Sequence, residues 1–184
     1  GHDFQSALEH SRLLAANEGL HAVPSFHPWL VRGVATYALE FLRAAPVLDV
    51  LFVPIGLGSG AVGMLSAIAA LGLSTRVIGV VSSHAPAYAL SFQQGRMVTH
   101  PSTTRIAEGV ACSTPNSEAL SLLSAYLHDI ISVSDEEALD ALRLLREHTG
   151  LLVEGSAALP LAALKKSGIR DGNVGLILTG GNIS

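Results

Sequence analysis

Two stretches of almost uninterrupted apolar residues, 48–55 and 76–81, mark the centre of the chain. Strands with both faces buried have this pattern, as in parallel sheets covered by helices, so we predict a β-strand at each. The segment between them, residues 60–71, predicts a buried helix. No charge occurs between Asp49 and Arg76, but glycines, a proline and a serine interrupt the segment. Its longest apolar run is therefore too short for a membrane-spanning helix.

A capping box gives the clearest helix start in the rest of the chain. Ser134 and Glu137 form a Ser-x-x-Glu motif with two further acidic residues between them, and this predicts a helix that ends at residue 150. Trp29 and Phe41, both in a predicted helix, are expected in the core. The remaining predicted elements are helices over residues 3–18 (capped by Asp3), 28–43, 85–95, 117–127 and 157–166, extended or strand segments at 21–26, 129–133, 151–154 and 174–179, and an irregular segment at 97–116.

The alternation of strands and helices indicates an α/β fold. We expect an open, largely parallel, twisted sheet with helices on both faces. No repeat, low-complexity tract or linker divides the sequence, so residues 1–184 are expected to form a single α/β unit.

Composition and charge narrow the class of protein. Among 184 residues, 49% are hydrophobic and only 14% are charged, which excludes a disordered chain. The net charge of −4 and the lack of a lysine and arginine cluster argue against a nucleic-acid partner. The single cysteine, Cys112, leaves no internal disulfide, and no two of the eight histidines lie four residues apart on one helix, so no metal site is predicted. No signal peptide pattern is visible, and we expect a cytoplasmic protein.

A glycine-rich segment follows the first predicted strand and leads into a helix. It runs Gly56-Leu57-Gly58-Ser59-Gly60-Ala61-Val62-Gly63. Glycines let backbone N–H groups turn toward an anion, the helix N-terminus adds partial positive charge, and Ser59 can add a hydroxyl donor. A plain tight turn would also use glycines, but four of them in eight positions favour a phosphate site.

Three kinds of phosphate ligand compete for this loop. Gly58-x-Gly60-x-x-Gly63 matches the dinucleotide fingerprint, but that motif also needs an acidic residue at the end of the second strand. The second strand here ends in Val80-Val81-Ser82, without an acid. No Gly-Lys-Ser/Thr follows the glycines, so the loop is not a P-loop. A small phosphorylated cofactor remains.

Two further polar positions are candidates for the same site. Thr179 follows the last predicted strand, and ligands of open α/β sheets bind beyond such strand ends, although a polar turn would look the same. Glu154 lies between apolar and small residues, so we expect it to be partly buried and to need a partner.

Eight short motifs follow one another along almost the whole chain. They are, in order, Gly1-x-Asp3-Phe4, Ser25-Phe26-x-Pro28 with Gly33-x-x-Thr36, Val53-Pro54-Ile55-Gly56-x-Gly58-x-Gly60, Val77-Ile78-Gly79-Val80, Ala107-Glu108-Gly109, Val133-Ser134-Asp135-Glu136-Glu137, Val153-Glu154-Gly155-x-Ala157 and Leu178-Thr179-Gly180-Gly181-Asn182. This ordered set resembles the later half of the fold-type II pyridoxal-phosphate enzymes, specifically the threonine/serine dehydratases. The loop version Gly-Leu-Gly-Ser-Gly is similar to a subgroup of dehydratase-like enzymes.

The resemblance implies a role for each candidate residue. The loop Gly56, Leu57, Gly58, Ser59 and Gly60 would hold the phosphate of pyridoxal 5'-phosphate. Thr179 would stand near the pyridine nitrogen, and Gly109 and Glu154 would lie around the cofactor pocket. The implied reaction is β-elimination from a 3-hydroxy amino acid such as L-threonine or L-serine, which gives a 2-oxo acid and ammonia.

The sequence also departs from that family. The segment Ser-Phe-Lys-x-Arg, which carries the Schiff-base lysine, and the Ser-x-Gly-Asn loop are absent. The only lysines, Lys165 and Lys166, end a predicted helix and are expected to face solvent, so no catalytic residue is assigned within this chain. The acids that hold a divalent cation in some relatives correspond to Val81 and Ala87. A monovalent cation held by carbonyls stays compatible with the resemblance.

The chain is therefore expected to be an incomplete fold, the later half of a two-domain enzyme and inactive alone. Its expected partners are the missing N-terminal half, a small amino-acid substrate and further copies in a homo-oligomer, a dimer or a tetramer. Two alternatives stay open: a non-catalytic module that binds phosphate or the cofactor without a lysine, and a nucleotide-binding α/β domain of another class.

Overall fold

The computed structural model describes residues 4–181. Asp3, the predicted cap of the first helix, and Asn182 of the last motif lie outside the described residues. The elements are α1 (Phe4–Glu18), α2 (Pro28–Ala44), β1 (Val50–Pro54), α3 (Ser59–Ala70), β2 (Arg76–Ser82), α4 (Ala87–Gln94), a 3-10 turn (Glu108–Val110), α5 (Ser117–Tyr126), β3 (Asp129–Val133), α6 (Asp135–Thr149), α7 (Gly155–Ser167) and β4 (Val174–Leu176).

The four strands form one parallel sheet in the order β3-β2-β1-β4. The chain runs from β1 through β2 to β3 on one side, and β4 then pairs with the opposite side of β1. Because crossovers between parallel strands are right-handed, this change of direction sends the last two helices to the other face of the sheet. The predicted α/β class, with a parallel sheet and helices on both faces, is confirmed.

Each central strand is buried on both faces, as its sequence predicts. In β1, Leu51 and Val53 pack with residues of α2, α3 and α5, whereas Val50 and Phe52 pack with residues of α6 and α7. Successive side chains of a strand point to opposite faces, so a continuous apolar run fills both layers. No helix within residues 4–181 has the length and apolar content that crossing a membrane requires.

The predicted caps of two helices are present. Ser134 accepts from the N–H of Glu137, and the Glu137 carboxylate accepts from the N–H of Ser134, so the capping box at α6 is confirmed. At α2, Pro28 occupies the first turn, and the imidazole of His27 accepts from the N–H of Trp29.

Three local predictions are wrong. Residues 151–154 form no strand, because only the N–H of Glu154 bonds to a carbonyl there, that of Gly180. The last strand, predicted over residues 174–179, ends at Leu176, before the left-handed Gly180. Trp29 is 76% exposed, because 12 residues along a helix turn its side chain about 120° away from that of Phe41.

Candidate cofactor-phosphate site

The site lies at the carboxyl edge of the sheet, where the chain changes direction. The connection that leaves β1 goes toward β2, while β4 lies on the other side of β1. Open α/β sheets bind ligands at such a switch point, because the diverging connections leave a crevice between neighbouring strand ends. The glycine loop follows β1 and Thr179 follows β4, so the topology brings both to this crevice.

The glycine loop presents backbone N–H groups at the start of α3. The first N–H groups of a helix have no carbonyl within the helix to bond to. Here Val62 makes the first such bond, to Gly58, and the N–H groups of residues 59–61 bond to no other described group. Gly58 has φ +98, and a Cβ there would lie 2.9 Å from the Cβ of Ala119, so the turn requires glycine.

The 3-10 turn Glu108–Val110 packs directly against the loop. A Cβ at Gly56 would lie 2.5 Å from the carbonyl oxygen of Gly109, so two backbones meet with no room for a side chain. Beside this contact is a cavity of about 340 Å³, whose lining includes Gly56, Ser59, Gly109 and Cys112. The loop and the turn thus form two walls of one cavity.

The start of α7 contributes polar oxygens to the other side of the 3-10 turn. A Cβ at Gly109 would lie 3.0 Å from Oε1 of Glu154 and 2.8 Å from Oγ of Ser156. Glu154 is partly buried, as predicted, and its N–H donates to the carbonyl of Gly180, the residue after Thr179. The buried Oγ of Ser156 makes no hydrogen bond to another described group.

Cys112, which lines the cavity, is an inert buried thiol, as the sequence predicts. Cys112 is buried and its thiol donates to the carbonyl of Thr114; burial raises the pKa of this thiol, in line with the inert cysteine that its apolar surroundings predict. Tyr88 is a residue near the loop that the sequence analysis does not identify. The hydroxyl of Tyr88 lies behind the loop, and the residue is almost completely buried. A tyrosine within a short apolar helix has no local sequence pattern that would place it beside the loop.

A second polar cluster lies at the ends of β2 and β3. Asp135 accepts from Oγ1 of Thr104 at 2.7 Å and from the N–H of Arg105 at 2.9 Å, and Oγ of Ser82 lies 3.5 Å away. His84 Nδ1 is 3.4 Å from the same carboxylate. Burial raises the pKa of Asp135, but these hydrogen bonds and the nearby imidazole outweigh it and hold the pKa below its ordinary value.

A family model described as "Pyridoxal-phosphate dependent enzyme" matches residues 1–180. The chain belongs to that family. This membership confirms the resemblance deduced from the ordered motifs, and it favours pyridoxal phosphate over a nucleotide as the ligand of the loop.

Similar proteins are ammonia-lyases and related enzymes. An L-threonine ammonia-lyase of Geobacter sulfurreducens is 35% identical over 162 residues, which are 87% of this chain and 40% of that protein. An L-threo-3-hydroxyaspartate ammonia-lyase of a Pseudomonas species is 35% identical over 94% of this chain and 55% of its own length. The crystal structure of a threonine deaminase from T.th. superposes with a TM-score of 0.87 at 32% identity, covering 96% of this chain and 62% of that one. The chain thus spans about half the length of the curated relatives it matches.

The loop fits the phosphate of pyridoxal phosphate. Three adjacent N–H groups lack a partner within the described residues, and a helix N-terminus favours an anion. The loop itself contains no acidic residue, and its glycines leave the backbone open to close approach. The exposed Glu108 also lines the cavity, on the wall formed by the 3-10 turn. In the described part of the chain, no group of three or more histidine, cysteine, aspartate or glutamate residues could hold a metal ion.

Neither lysine of the chain lies at this site. Lys165 and Lys166 are exposed at the end of α7, whose length places Lys166 about 16 Å along the helix from Gly155. Nζ of Lys166 donates to the carbonyl of Ser132 at 3.0 Å and to Glu137 at 3.2 Å. The prediction that both lysines face solvent is confirmed.

The predicted site residues fall into two groups. Gly56, Leu57, Ser59 and Gly109 line one cavity, and Gly58 and Gly60 belong to the same loop. Glu154 lies on the far side of Gly109, and Thr179 adjoins the glycine that contacts Glu154. Their roles toward a cofactor stay predictions.

Proposed function

We propose that this chain forms the phosphate-binding side of a pyridoxal-phosphate-dependent ammonia-lyase. The reaction is the dehydration and deamination of a 3-hydroxy amino acid such as L-threonine or L-serine to a 2-oxo acid and ammonia. One observation carries the proposal: three N–H groups without a partner among the described residues open at the switch point of a parallel sheet, in a chain of this family. The ammonia-lyase names of its relatives support the reaction class.

The loop binds and orients in this proposal. The N–H groups of residues 59–61 and the hydroxyl of Ser59 donate to the phosphate oxygens, and the dipole of α3 adds favourable charge. Gly56 and Gly58 allow the backbone of the loop to take this path, because a Cβ at Gly56 would collide with the carbonyl of Gly109 and a Cβ at Gly58 with Ala119. The cofactor, when bound, supplies the electron sink for the elimination.

Thr179 and Glu154 act on the ring side of the site. A threonine hydroxyl donates a hydrogen bond to an unprotonated pyridine nitrogen, whereas a carboxylate would stabilise the protonated ring. This difference suits β-elimination. Glu154 lies beyond Gly109, whose lack of a side chain lets the 3-10 turn approach the carboxylate.

The remaining parts of the enzyme come from outside these residues in this proposal. Because the chain spans 40% and 55% of two of its relatives, the lysine and the loop for the substrate carboxylate belong to a further segment of the protein. The proposal includes a cytoplasmic homo-oligomer, a dimer or a tetramer, and a monovalent cation held by backbone carbonyls.

A second candidate is a non-catalytic module that binds the cofactor without reacting. It is favoured by one observation: both lysines of the chain are exposed, and Lys166 is bonded to Ser132 and Glu137.

Substrate turnover by the intact protein separates the two functions. Purified protein with pyridoxal phosphate is supplied with L-threonine, L-serine, phenylserine and threo-3-hydroxyaspartate, and ammonia and 2-oxo acid are both measured. Equal amounts of the two products from any substrate support the lyase. Cofactor binding without product from any of them supports the module. Failure to bind the cofactor contradicts both.

A further inference from the structure

We propose that Tyr88 is a positioning residue for the phosphate loop and that its hydroxyl gives the site its preference for a phosphorylated cofactor. This inference rests on the proposed function. The Tyr88 hydroxyl donates to the carbonyl of Leu57 at 2.8 Å and accepts from the N–H of Asn116 at 3.1 Å. Tyr88 is 1% exposed, so neither bond is replaced by water when the hydroxyl is lost.

The bond to Leu57 fixes the orientation of one peptide in the loop. The carbonyl of Leu57 and the N–H of Gly58 belong to the same planar trans peptide, so they point in opposite directions. Tyr88 holds the carbonyl toward the core. The N–H of Gly58 is therefore turned to the opposite side, away from the core, and it bonds to no other described group. Tyr88 thus adds a fourth N–H to the three at the start of α3.

The bond from Asn116 ties the loop to the opposite wall of the cavity. Asn116 ends the irregular segment that carries Gly109 and Cys112, and its side chain caps α5 by accepting from the N–H of Ala119 at 3.0 Å. The Cβ of Ala119 in turn limits the space at Gly58. One buried hydroxyl therefore couples the loop, α4 and the start of α5.

Tyr37 provides a matched control. Its hydroxyl is also buried, yet it makes no hydrogen bond to another described group. Burial raises the pKa of both phenols, so both are neutral donors near pH 7. Loss of the Tyr37 hydroxyl removes the same atom from a buried position without touching the loop.

The test compares Tyr88→Phe with Tyr37→Phe in the intact protein by titration with pyridoxal phosphate and with pyridoxal, which lacks the phosphate. We expect Tyr88→Phe to weaken binding of pyridoxal phosphate by about tenfold, because a buried carbonyl loses its donor and the loop loses its alignment. Binding of pyridoxal should change by less than about twofold, and Tyr37→Phe should change neither. A purely structural role of Tyr88 would weaken both ligands equally, and that outcome overturns the inference.

Hydrogen exchange on the unmutated protein tests the same coupling if Tyr88→Phe does not fold. Inorganic phosphate should slow exchange at residues 58–61 and also at Asn116, through the Tyr88 hydroxyl. Protection of the loop without any change at Asn116 contradicts the coupling. The two hypotheses fail differently: an unmutated protein that does not prefer pyridoxal phosphate over pyridoxal refutes the proposed function, whereas an unchanged preference in Tyr88→Phe refutes only the role of Tyr88.

Discussion

The carboxyl edge of the sheet is divided into two regions that differ in how their polar groups are bonded. At the ends of β2 and β3, Asp135 accepts from Thr104 and Arg105 and lies near Ser82 and His84. At the ends of β1 and β4, the N–H groups of residues 59–61 have no partner among the described residues. Both regions follow parallel strands. We call the cluster around Asp135 the closed region, because its carboxylate already accepts hydrogen bonds from within the protein. We call the glycine loop at residues 56–61 the open region, because the N–H groups of residues 59–61 do not donate to any described group.

This difference separates a structural cluster from the proposed ligand site. Buried polar groups in a folded protein are normally bonded, and the first N–H groups of a helix are free to bond a group supplied from outside. The proposed phosphate would be such a group. Asp135 already has its donors, and it holds the irregular segment that carries Gly109 against α6. The closed region thereby supports one wall of the open region.

The largest effect is expected for Gly58→Ala in the open region. An alanine at φ +98 is strained, and its Cβ would lie 2.9 Å from that of Ala119, so we expect the free energy of unfolding to fall by about 2 kcal/mol. Cofactor binding should be lost with it, because the loop must shift. Chemical denaturation and cofactor titration measure the two effects.

Gly33→Ala is the control for that substitution. Gly33 lies inside α2, and nothing lies within 4 Å of its Cβ position, so alanine there should leave stability unchanged or raise it by up to about 1 kcal/mol. If Gly58→Ala were as stable as Gly33→Ala and still bound the cofactor, the requirement for glycine in the loop would be wrong.

Asp135→Asn tests the closed region. We expect a loss of about 1–2 kcal/mol in the free energy of unfolding at pH 7, with cofactor affinity nearly unchanged in the variant that remains folded. The pKa of Asp135 is lower in the folded state, so its contribution is present above the unfolded value of about 3.9 and is lost as pH falls through the folded value. The difference from the unmutated protein should therefore shrink between pH 5 and pH 2, as denaturation at each pH would reveal.

Asp140→Asn is the matched change in the same helix. Asp140 is 61% exposed and pairs only with Arg143 one turn on, so its loss should cost less than about 0.5 kcal/mol. Equal losses for the two asparagine variants would mean that the cluster at β2 and β3 has no structural role.

Ser59→Ala removes one donor from the open region without disturbing the backbone. We expect affinity for pyridoxal phosphate to fall about fivefold, the effect of one hydrogen bond, while stability is unchanged. Ser66→Ala, in the same helix, is the control, because its hydroxyl donates to the carbonyl of Val62. A similar loss of affinity in both variants would argue against a direct contact between Ser59 and the phosphate.

The sequence predicted the open region better than the closed one, for physical reasons. The glycine loop is contiguous, and its conformation follows from local backbone freedom, so Gly58 can be recognised without the fold. The bond between Thr104 and Asp135 spans 31 residues, and the bond between Tyr88 and Leu57 also spans 31, so neither has a local pattern.

The same distinction explains the elements that were predicted wrongly. β1 and β2 are buried on both faces, and a continuous apolar run in the sequence predicts strands of that kind. Whether residues 151–154 form a strand depends on how many ladder bonds a neighbour offers, and Gly180 offers one. A short apolar run does not show whether a neighbouring strand is present to bond with it.

The smallest effect on stability is expected at Lys166. This substitution nevertheless tests the proposal that the cofactor-binding lysine lies outside this chain. Lys166→Ala removes bonds to Ser132 and Glu137, both at the surface, so the free energy of unfolding should fall by less than about 1 kcal/mol. Cofactor affinity should not change, because the amine lies at the far end of α7 from the site. Lys165→Ala is the control, since it removes an equal charge one position away.

Mass spectrometry after borohydride trapping completes this test in the intact protein. We expect the cofactor on a lysine outside these 184 residues and none on Lys165 or Lys166, because both amines are exposed and a cofactor-binding amine needs a desolvating pocket. If cofactor were trapped on Lys166 and Lys166→Ala lost cofactor binding, the cofactor-binding amine would have to be assigned to the end of α7. The open region would then bind a phosphate that belongs to some other ligand.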